Sequence, residues 1–398
     1  GKRYGSKALK ITASAIVFIF LIPYTASAFN GLSRLFGMAF NVPYEACIIG
    51  MAILTGIYVV LGGYMATAVN DFIQGLIMLG GIIAVIAAVL SGNGGFTQAI
   101  ISLSQIESDA AAAPLMQGTY TSLLGPDPLG LLGVVILTSL GTWGLPQMVQ
   151  KFYAIKSEKS INKGAIISTF FALIVAGGSY FLGGFGRLYG GSIEYTAGGT
   201  PIYDSIIPSM LSTLPDILIG IVVVLVLSAS MSTLSGLVLT SSSTLTLDFI
   251  KGNLVKEMSI KAQLSVMRIM LIFFIVISCV IALIQYNSSI TFIAQLMGIS
   301  WGALAGAFLA PLLYGLYWKK VTTASVWASF IVGVGLTTSN MFFKFIESPI
   351  NAGAIAMIAG LIVVPLVSFI TKKPDADEVD KMFSCYDEKV LVSKKIAL

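Results

Sequence analysis

Residues 228–248 read "SASMSTLSGLVLTSSSTLTLD" and follow directly on the apolar run "ILIGIVVVLVL" at 217–227. Eleven of those twenty-one residues carry a hydroxyl, and none before Asp248 carries a charge. Together the two stretches exceed the roughly twenty residues a helix needs to cross the ~30 Å hydrocarbon core. Inside a bilayer each hydroxyl must find a partner, because no water is available. On a helical wheel Ser228, Ser232, Ser235, Ser242 and Thr246 fall within about 40° of one line, a single polar stripe. Two readings of the stripe stand. Hydroxyls can bond neighbouring helices or their own i−4 carbonyls. They can also serve a hard cation such as sodium, which prefers oxygen ligands and is held by hydroxyls and free carbonyls without burial of a full negative charge.

The rest of the chain agrees with a membrane setting. Of 398 residues 56% are hydrophobic and 10% charged, and the mean hydropathy is +0.92, which excludes an ordinary soluble domain. Apolar stretches predict about ten spans, near 9–36, 44–62, 64–91, 128–150, 161–188, 215–247, 262–286, 289–317, 322–344 and 349–371. The basic residues then fall on alternate loops. Lys2, Arg3, Lys7 and Lys10 precede the first span, Lys151, Lys156, Lys159 and Lys163 fill one loop, and Lys251, Lys256 and Lys261 fill another. Lys319, Lys320, Lys372 and Lys373 follow, then a charged tail to Leu398, while Arg34, Arg187 and Lys344 lie on the other side. This asymmetry places both described ends in the cytoplasm. It accounts for the net charge of +5 as an orientation signal and argues against a nucleic-acid partner. The expected organisation is one transmembrane domain over 1–371 and a cytoplasmic tail over 372–398.

No histidine is present, and Cys47, Cys279 and Cys385 share no close spacing. The commonest metal ligand and general base is thus missing, and neither a disulfide framework nor a thiolate site is suggested. An enzyme is not expected. The opening "GKRYGSKALK" has no initiator Met, no signal peptide and no cap; it reads as an internal cytoplasmic loop with helices expected upstream. Two outer loops, 92–127 with Glu107, Asp109 and Asp127, and 189–214 with "TPIYDSIIPSML", each contain a short helix-like stretch. In the second, Pro201 marks a possible helix start.

Three further stretches draw attention. "GGYMATAVNDFIQGLIML" (62–79) carries Asp71 about two turns into a span, with Asn70 and Gln74 beside it. A carboxylate there costs about 3 kcal/mol at the bilayer centre, so it either snorkels to the cytoplasmic interface or faces the bundle as an ion ligand. "LTSLGTWGLPQMVQKF" (137–152) interrupts a span with Gly141, Gly144 and Pro146, among Thr142, Trp143, Gln147 and Gln150. Proline removes a donor and frees the carbonyl four residues earlier, that of Thr142. The result is either a structural kink or a discontinuous helix lining a solute cavity. "FIAQLMGISWGALAGAFLAP" (292–311) carries Gln295 and Trp301 among the small residues Gly298, Gly302, Ala305 and Gly306, a pattern for close helix packing. Tyr64, Arg187 and Asp204 are weaker candidates.

These motifs, in this order, resemble the sodium:solute symporter family. "GGYMATAVNDFIQG" is similar to its Gly-Gly, Thr-Asp-x-x-Gln pattern, with Asn70 in place of Thr. "GTWGLPQMVQKFYAIKS" is similar to the proline-type stretch, with Lys151 where Arg is usual, and "SASMSTLSGLVLTSSSTLTLDF" matches the Met-Ser-Thr, Ser-Ser, Thr-x-Asp signature. The resemblance implies an all-α integral membrane protein with a LeuT-type inverted-repeat bundle of ten core helices. Of the usual thirteen spans this chain would begin at the fourth, lacking the first. It further implies sodium held by the Ala229 carbonyl, Ser232 and Thr233, with a second site on Asp71, Ser232 and Ser235 that lacks a ligand because Gly236 carries no hydroxyl. Solute contacts would come from Thr142, Trp143 and Gln147, with Gln295 and Trp301 opposite. The expected activity is sodium-coupled import of a small organic solute across a bacterial inner (plasma) membrane by alternating access. An amino acid such as proline, or a related carboxylate, is favoured over a sugar or sialic acid, and sodium over a proton. A transporter-like sensor is disfavoured by the short tail.

Overall fold

The structure is a computed structural model that describes residues 1–107, 117–153, 155, 157–195, 199, 201–255, 257–288 and 293–387. Asp109, Lys156, Lys256 and the tail from 388 to Leu398 lie outside the described residues, as does the side chain of Tyr64. The chain is helical almost throughout. In order come α1 (Lys7–Phe40), α2 (Tyr44–Gly92), α3 (Phe96–Ser104), α4 (Pro128–Gly144), α5 (Pro146–Phe152), α6 (Glu158–Gly184), α7 (Ile206–Ser212), α8 (Asp216–Ser243), α9 (Ile260–Ser288), α10 (Ile293–Tyr317), α11 (Thr323–Phe343), α12 (Pro349–Ile370) and α13 (Ala376–Phe383). Helix starts follow the side chains that cap them. Ser6 accepts from Leu9 N–H at 3.2 Å, Asp127 from Gly130 N–H at 2.9 Å and Thr322 from Ser325 N–H at 3.2 Å, each satisfying a donor that has no partner within the helix. Among the described residues nine helical segments are long and apolar enough to cross a membrane, and α4 with α5, bent by 48°, makes a tenth.

Helical hydrogen bonding runs unbroken through α2 where the sequence predicts two spans, 44–62 and 64–91. A straight helix would hold Tyr58 and Asn70 about 18 Å apart along its axis, beyond what their side chains bridge. Yet Asn70 Nδ2 donates to Tyr58 Oη at 3.0 Å. The axis therefore turns between the two halves, which satisfy the length and hydropathy of two separate spans, Tyr44–Gly62 and Thr67–Gly92. A second departure concerns Pro201. No helix begins there: Pro201–Ile202 (β2) pairs antiparallel with Glu194–Tyr195 (β1), and α7 starts only at Ile206. Proline lacks the N–H for a ladder but tolerates an edge position. The helix-like stretch of the first outer loop, "QAIISLSQI" at 98–106, is helical as far as Ser104, within α3.

The centre of the bundle is α10, packed between α11, α12, α1 and α4. Its glycines make this possible. An ideal Cβ on Gly302 would lie 2.6 Å from Gly353 Cα, and one on Gly333 would lie 2.2 Å from the Gly306 carbonyl carbon. Backbones that close gain dispersion contacts which lipid cannot replace. Ser329 Oγ, donating toward Gly306 O and Ala307 O at 3.2 and 3.0 Å, ties α11 to α10. At one end of the bundle Arg3 Nε donates to Gly315 O at 3.2 Å, Lys10 pairs with Asp248 at 2.9 Å, and Lys319 pairs with Asp380 on α13 at 2.6 Å. The opposite end holds Arg34 against the rings of Tyr44 and Tyr286, and Arg187 over Tyr120.

Candidate ion and solute site

The hydroxyl stripe lies on α8 and its continuation Thr244–Leu254, where the turns widen to π-type. Ser228, Ser235, Ser242 and Thr246 are buried, and Ser232 and Thr233 half-buried. Most find a partner in their own helix. Thr233 Oγ1 donates to Ala229 O at 2.9 Å, Ser232 Oγ to the same carbonyl at 3.4 Å, Ser235 Oγ to Ser232 O at 3.0 Å and Ser242 Oγ to Val238 O at 2.8 Å. A hydroxyl that donates its proton still offers two lone pairs. The Ala229 carbonyl and the hydroxyls of Ser232 and Thr233 therefore converge as three oxygens within one turn, stable without an ion and chemically suited to one.

Asp71 lies on the second half of α2. Its Oδ2 is 3.8 Å from Lys151 Nζ at the end of α5, while Oδ1 is buried with no hydrogen-bond partner. Gln74, one turn on, is 6% exposed and its Oε1 likewise lacks a partner. Tyr58 links this corner to the stripe, accepting from Asn70 and interacting with Ser235. Tyr58 thus stands between Ser235 and Asn70, the chain neighbour of Asp71, whereas Ser232 and Thr233 belong to the adjacent turn of α8.

The interruption predicted around Pro146 is present. Leu145 is extended (φ −84°, ψ 120°) between α4 and α5, and Pro146 opens α5, where its missing N–H costs nothing. Gly144 is required at the break: a Cβ there would lie 2.9 Å from Ala305 Cα and from Leu309 on α10. One turn earlier Gly141 faces Trp301 and Met357. The break and Trp301 are therefore brought together. Thr142 is half-buried, its hydroxyl donating to Ser139 O at 3.1 Å. Gln147 is 5% exposed, and neither its Oε1 nor its Nε2 has a hydrogen-bond partner. Trp301 is buried with the ring of Tyr24 edge-on at 5.6 Å. Trp143 is not brought into this cluster: it is 61% exposed, two residues and so about 200° around α4 from Gly141. Gln295 is half-buried near the start of α10, about 120° around that helix from Trp301. Nearby, the carboxylate of Asp204 accepts from Ile293 N–H at 3.1 Å. Burial pushes the Asp204 carboxyl above its usual range, opposed by that N–H and by Arg34.

A model of the sodium:solute symporter family matches residues 1–333. The chain belongs to this family. Among its relatives, the sodium/proline symporter of Haemophilus influenzae is 30% identical over 97% of this chain and 77% of that protein. The osmoregulated proline transporter OpuE of Bacillus subtilis is 28% identical over 99% of this chain and 76% of its own length. The sodium/pantothenate symporter of Escherichia coli is 27% identical over 83% and 65%. Of solved structures, a Na+-coupled sialic acid symporter in a substrate-bound outward-open state superposes with a TM-score of 0.68 at 17% identity, over 94% of this chain and 76% of that one. The fold is that LeuT-type bundle.

Members of the sodium:solute symporter family are multi-pass membrane transporters rather than enzymes, and two polar contacts of this member were not legible in its sequence. Thr240 Oγ1 donates to Gln150 Oε1 at 2.6 Å, fastening α5 to α8, and Tyr58 bridges Asn70 and Ser235. A tyrosine in the interior of an apolar span was the available signal for Tyr58. For Thr240 no signal distinguished it from its hydroxyl neighbours.

Proposed function

We propose that this chain is a sodium-coupled secondary active symporter that imports a small carboxylate-bearing solute, with an amino acid such as proline as the first choice. The observation that carries the proposal is the group of three uncharged oxygens, Ala229 O, Ser232 Oγ and Thr233 Oγ1, on a helix joined by the Gln150–Thr240 bond to the far side of a broken helix. Sodium at these oxygens, bound more tightly in one state of the bundle, shifts the population toward it. Solute then engages Gln147, Thr142 and Trp301 beside the break, where a helix without its full set of backbone bonds offers free polar groups. Gln295 stands toward the outer end. Asp71 and Ser235 form a second polar corner nearer the end that collects the basic residues. By the positive-inside asymmetry that end is cytoplasmic, and both described ends of the chain lie there, in a bacterial inner membrane.

Proline is favoured because proline transporters recur among the relatives; pantothenate and sialic acid, the solutes named for the other relative and for the structural neighbour, are the alternatives. The test is initial-rate uptake of labelled proline, pantothenate, a hexose and sialic acid into proteoliposomes of the full-length chain, with sodium or potassium outside. Uptake of one solute only with sodium is the expected result. Equal uptake in the two salts, in folded protein, would return the hydroxyl stripe to a packing role.

A further inference from the structure

We propose that the segment from Ala376 to Tyr386 is a detachable strap over the mouth of a cavity that leads to the broken helix, and that solute leaves on that side only when the strap swings aside. The inference goes beyond the symport reading and rests on it for the solute's route. The cavity, of about 760 Å³, lies at the end of the bundle that collects the basic residues. Its deep wall includes Gly144 and Pro146, on either side of the extended Leu145, and Pro311 of α10, with Gly144 and Pro311 buried. Gln147, a solute contact in that reading, follows Pro146 directly. The rim is exposed at Lys2, Leu316 and Tyr386, and Phe383 of α13 lines it as well.

The strap is fastened to the end of α10 and to the first residues of the chain. Asp375 starts it, its carboxylate accepting from the N–H groups of Asp377 and Glu378 at 2.9 and 3.2 Å, and Val379 is the buried residue of α13. The other attachments are single side chains. Asp380 pairs with Lys319 at 2.6 Å, Tyr386 Oη donates to Leu316 O at 2.8 Å, and the ring of Phe383 lies 5.4 Å from both the Arg3 guanidinium and the Lys319 ammonium. Leu316 O belongs to the last turn of α10, whose carbonyls have no partner within the helix, so water can take the place of Tyr386 there when the strap lifts. The side chains of Lys319 and Asp380 are 54% and 61% exposed; an ion pair so placed is weak and screened by salt, and cation–π contacts at exposed sites are weak too. The other walls of the cavity come from α1, α10 and α11, long helices packed through the bundle. Lifting the short strap disturbs far less structure than moving any of them, which makes it the movable part.

The test uses full-length protein in which Cys47, Cys279 and Cys385 are replaced by alanine and Ala13→Cys places a reporter thiol on the α1 wall of the cavity. The rate at which a bulky, charged maleimide modifies that thiol is measured on purified protein without sodium or solute. With the strap in place modification should be slow. Asp380→Lys sets two ammonium groups against each other and should raise the rate about fivefold or more, the shift that loss of an exposed pair allows. Adding Lys319→Asp restores the pair in reverse and should return the rate to its starting value. Tyr386→Phe, which removes only the bond to Leu316 O, should also raise it, so the test does not depend on one variant folding. Rates unchanged by Asp380→Lys and by Tyr386→Phe would overturn the strap, and so would a raised rate that the reversed pair fails to lower. Because neither sodium nor solute is present, these outcomes stand apart from the symport reading, which the uptake assay decides separately.

Discussion

Replacing Gly333 by alanine tests the packing that holds the bundle together. The added methyl would lie 2.2 Å from the carbonyl carbon of Gly306 and 2.4 Å from Ala307 N. Both atoms are backbone of α10, so no side-chain rotation relieves the clash. Nor can α10 retreat, because on its other face α12 is equally close: a Cβ on Gly360 would already lie 2.7 Å from Gly306 O, and one on Gly353 2.8 Å from Gly298 O. α11 must move outward by an ångström or more, at an overpacking cost of about 1–3 kcal/mol. That movement stretches the bonds from Ser329 to α10, now 3.0 and 3.2 Å, which adds about 0.6 kcal/mol. Gly335, half a turn along the same helix, meets nothing within 4 Å, and the gain of up to about 1 kcal/mol in helix propensity from alanine applies at both positions and cancels. The two variants should therefore differ by about 2–4 kcal/mol. At roughly 2 °C per kcal/mol for a chain of this size, their apparent Tm values should be separated by several degrees, with Gly333→Ala lower. Thermal unfolding of detergent-purified protein, followed by tryptophan fluorescence at one scan rate, measures the difference. Melting of the two variants within a degree of each other would show that α10 and α11 do not approach as closely as this.

Ser232→Ala with Thr233→Ala should raise the half-saturating sodium concentration for uptake at least about tenfold, equivalent to 1.4 kcal/mol of lost ion binding; unchanged sodium dependence would leave those hydroxyls as helix back-bonding. Gln147→Leu removes two buried amide atoms that have no partner, a state costing about 1–3 kcal/mol. The ligand-free protein should melt higher and solute uptake should fall sharply, whereas an unaltered half-saturating solute concentration would exclude Gln147 from the solute site. Asp204 titrates higher in the folded chain than in the unfolded one because of burial. Its contribution to stability is therefore present below the ordinary carboxylate value and lost as pH rises through the raised one. Asp204→Asn should flatten that part of the profile of Tm against pH, and an identical slope in variant and wild type would assign the pH dependence elsewhere.

Much of this protein follows from local sequence. Hydropathy and length determine the spans, because in lipid a backbone can satisfy its hydrogen bonds only within a helix or a closed barrel. The break at Leu145 follows from Pro146, which has no N–H to continue the ladder. The stripe from Ser228 to Thr246 follows from helical periodicity, and the Ala229, Ser232 and Thr233 oxygens converge because i−3 and i−4 residues of one helix always do. Contacts between helices are a different matter. That α5 is fastened to α8 by Gln150 and Thr240, that Lys151 reaches Asp71, and that Trp301 faces Gly141 while Trp143 turns outward all depend on the relative rotation and depth of separate helices. Those are set by which glycines let two backbones approach, at Gly302 against Gly353 and Gly306 against Gly333. Local sequence sets the membrane spans, their polar faces and the break, while the strand at Pro201 and the choice of which polar faces meet come from packing, because lipid-embedded helices select neighbours by shape and not by hydrophobicity.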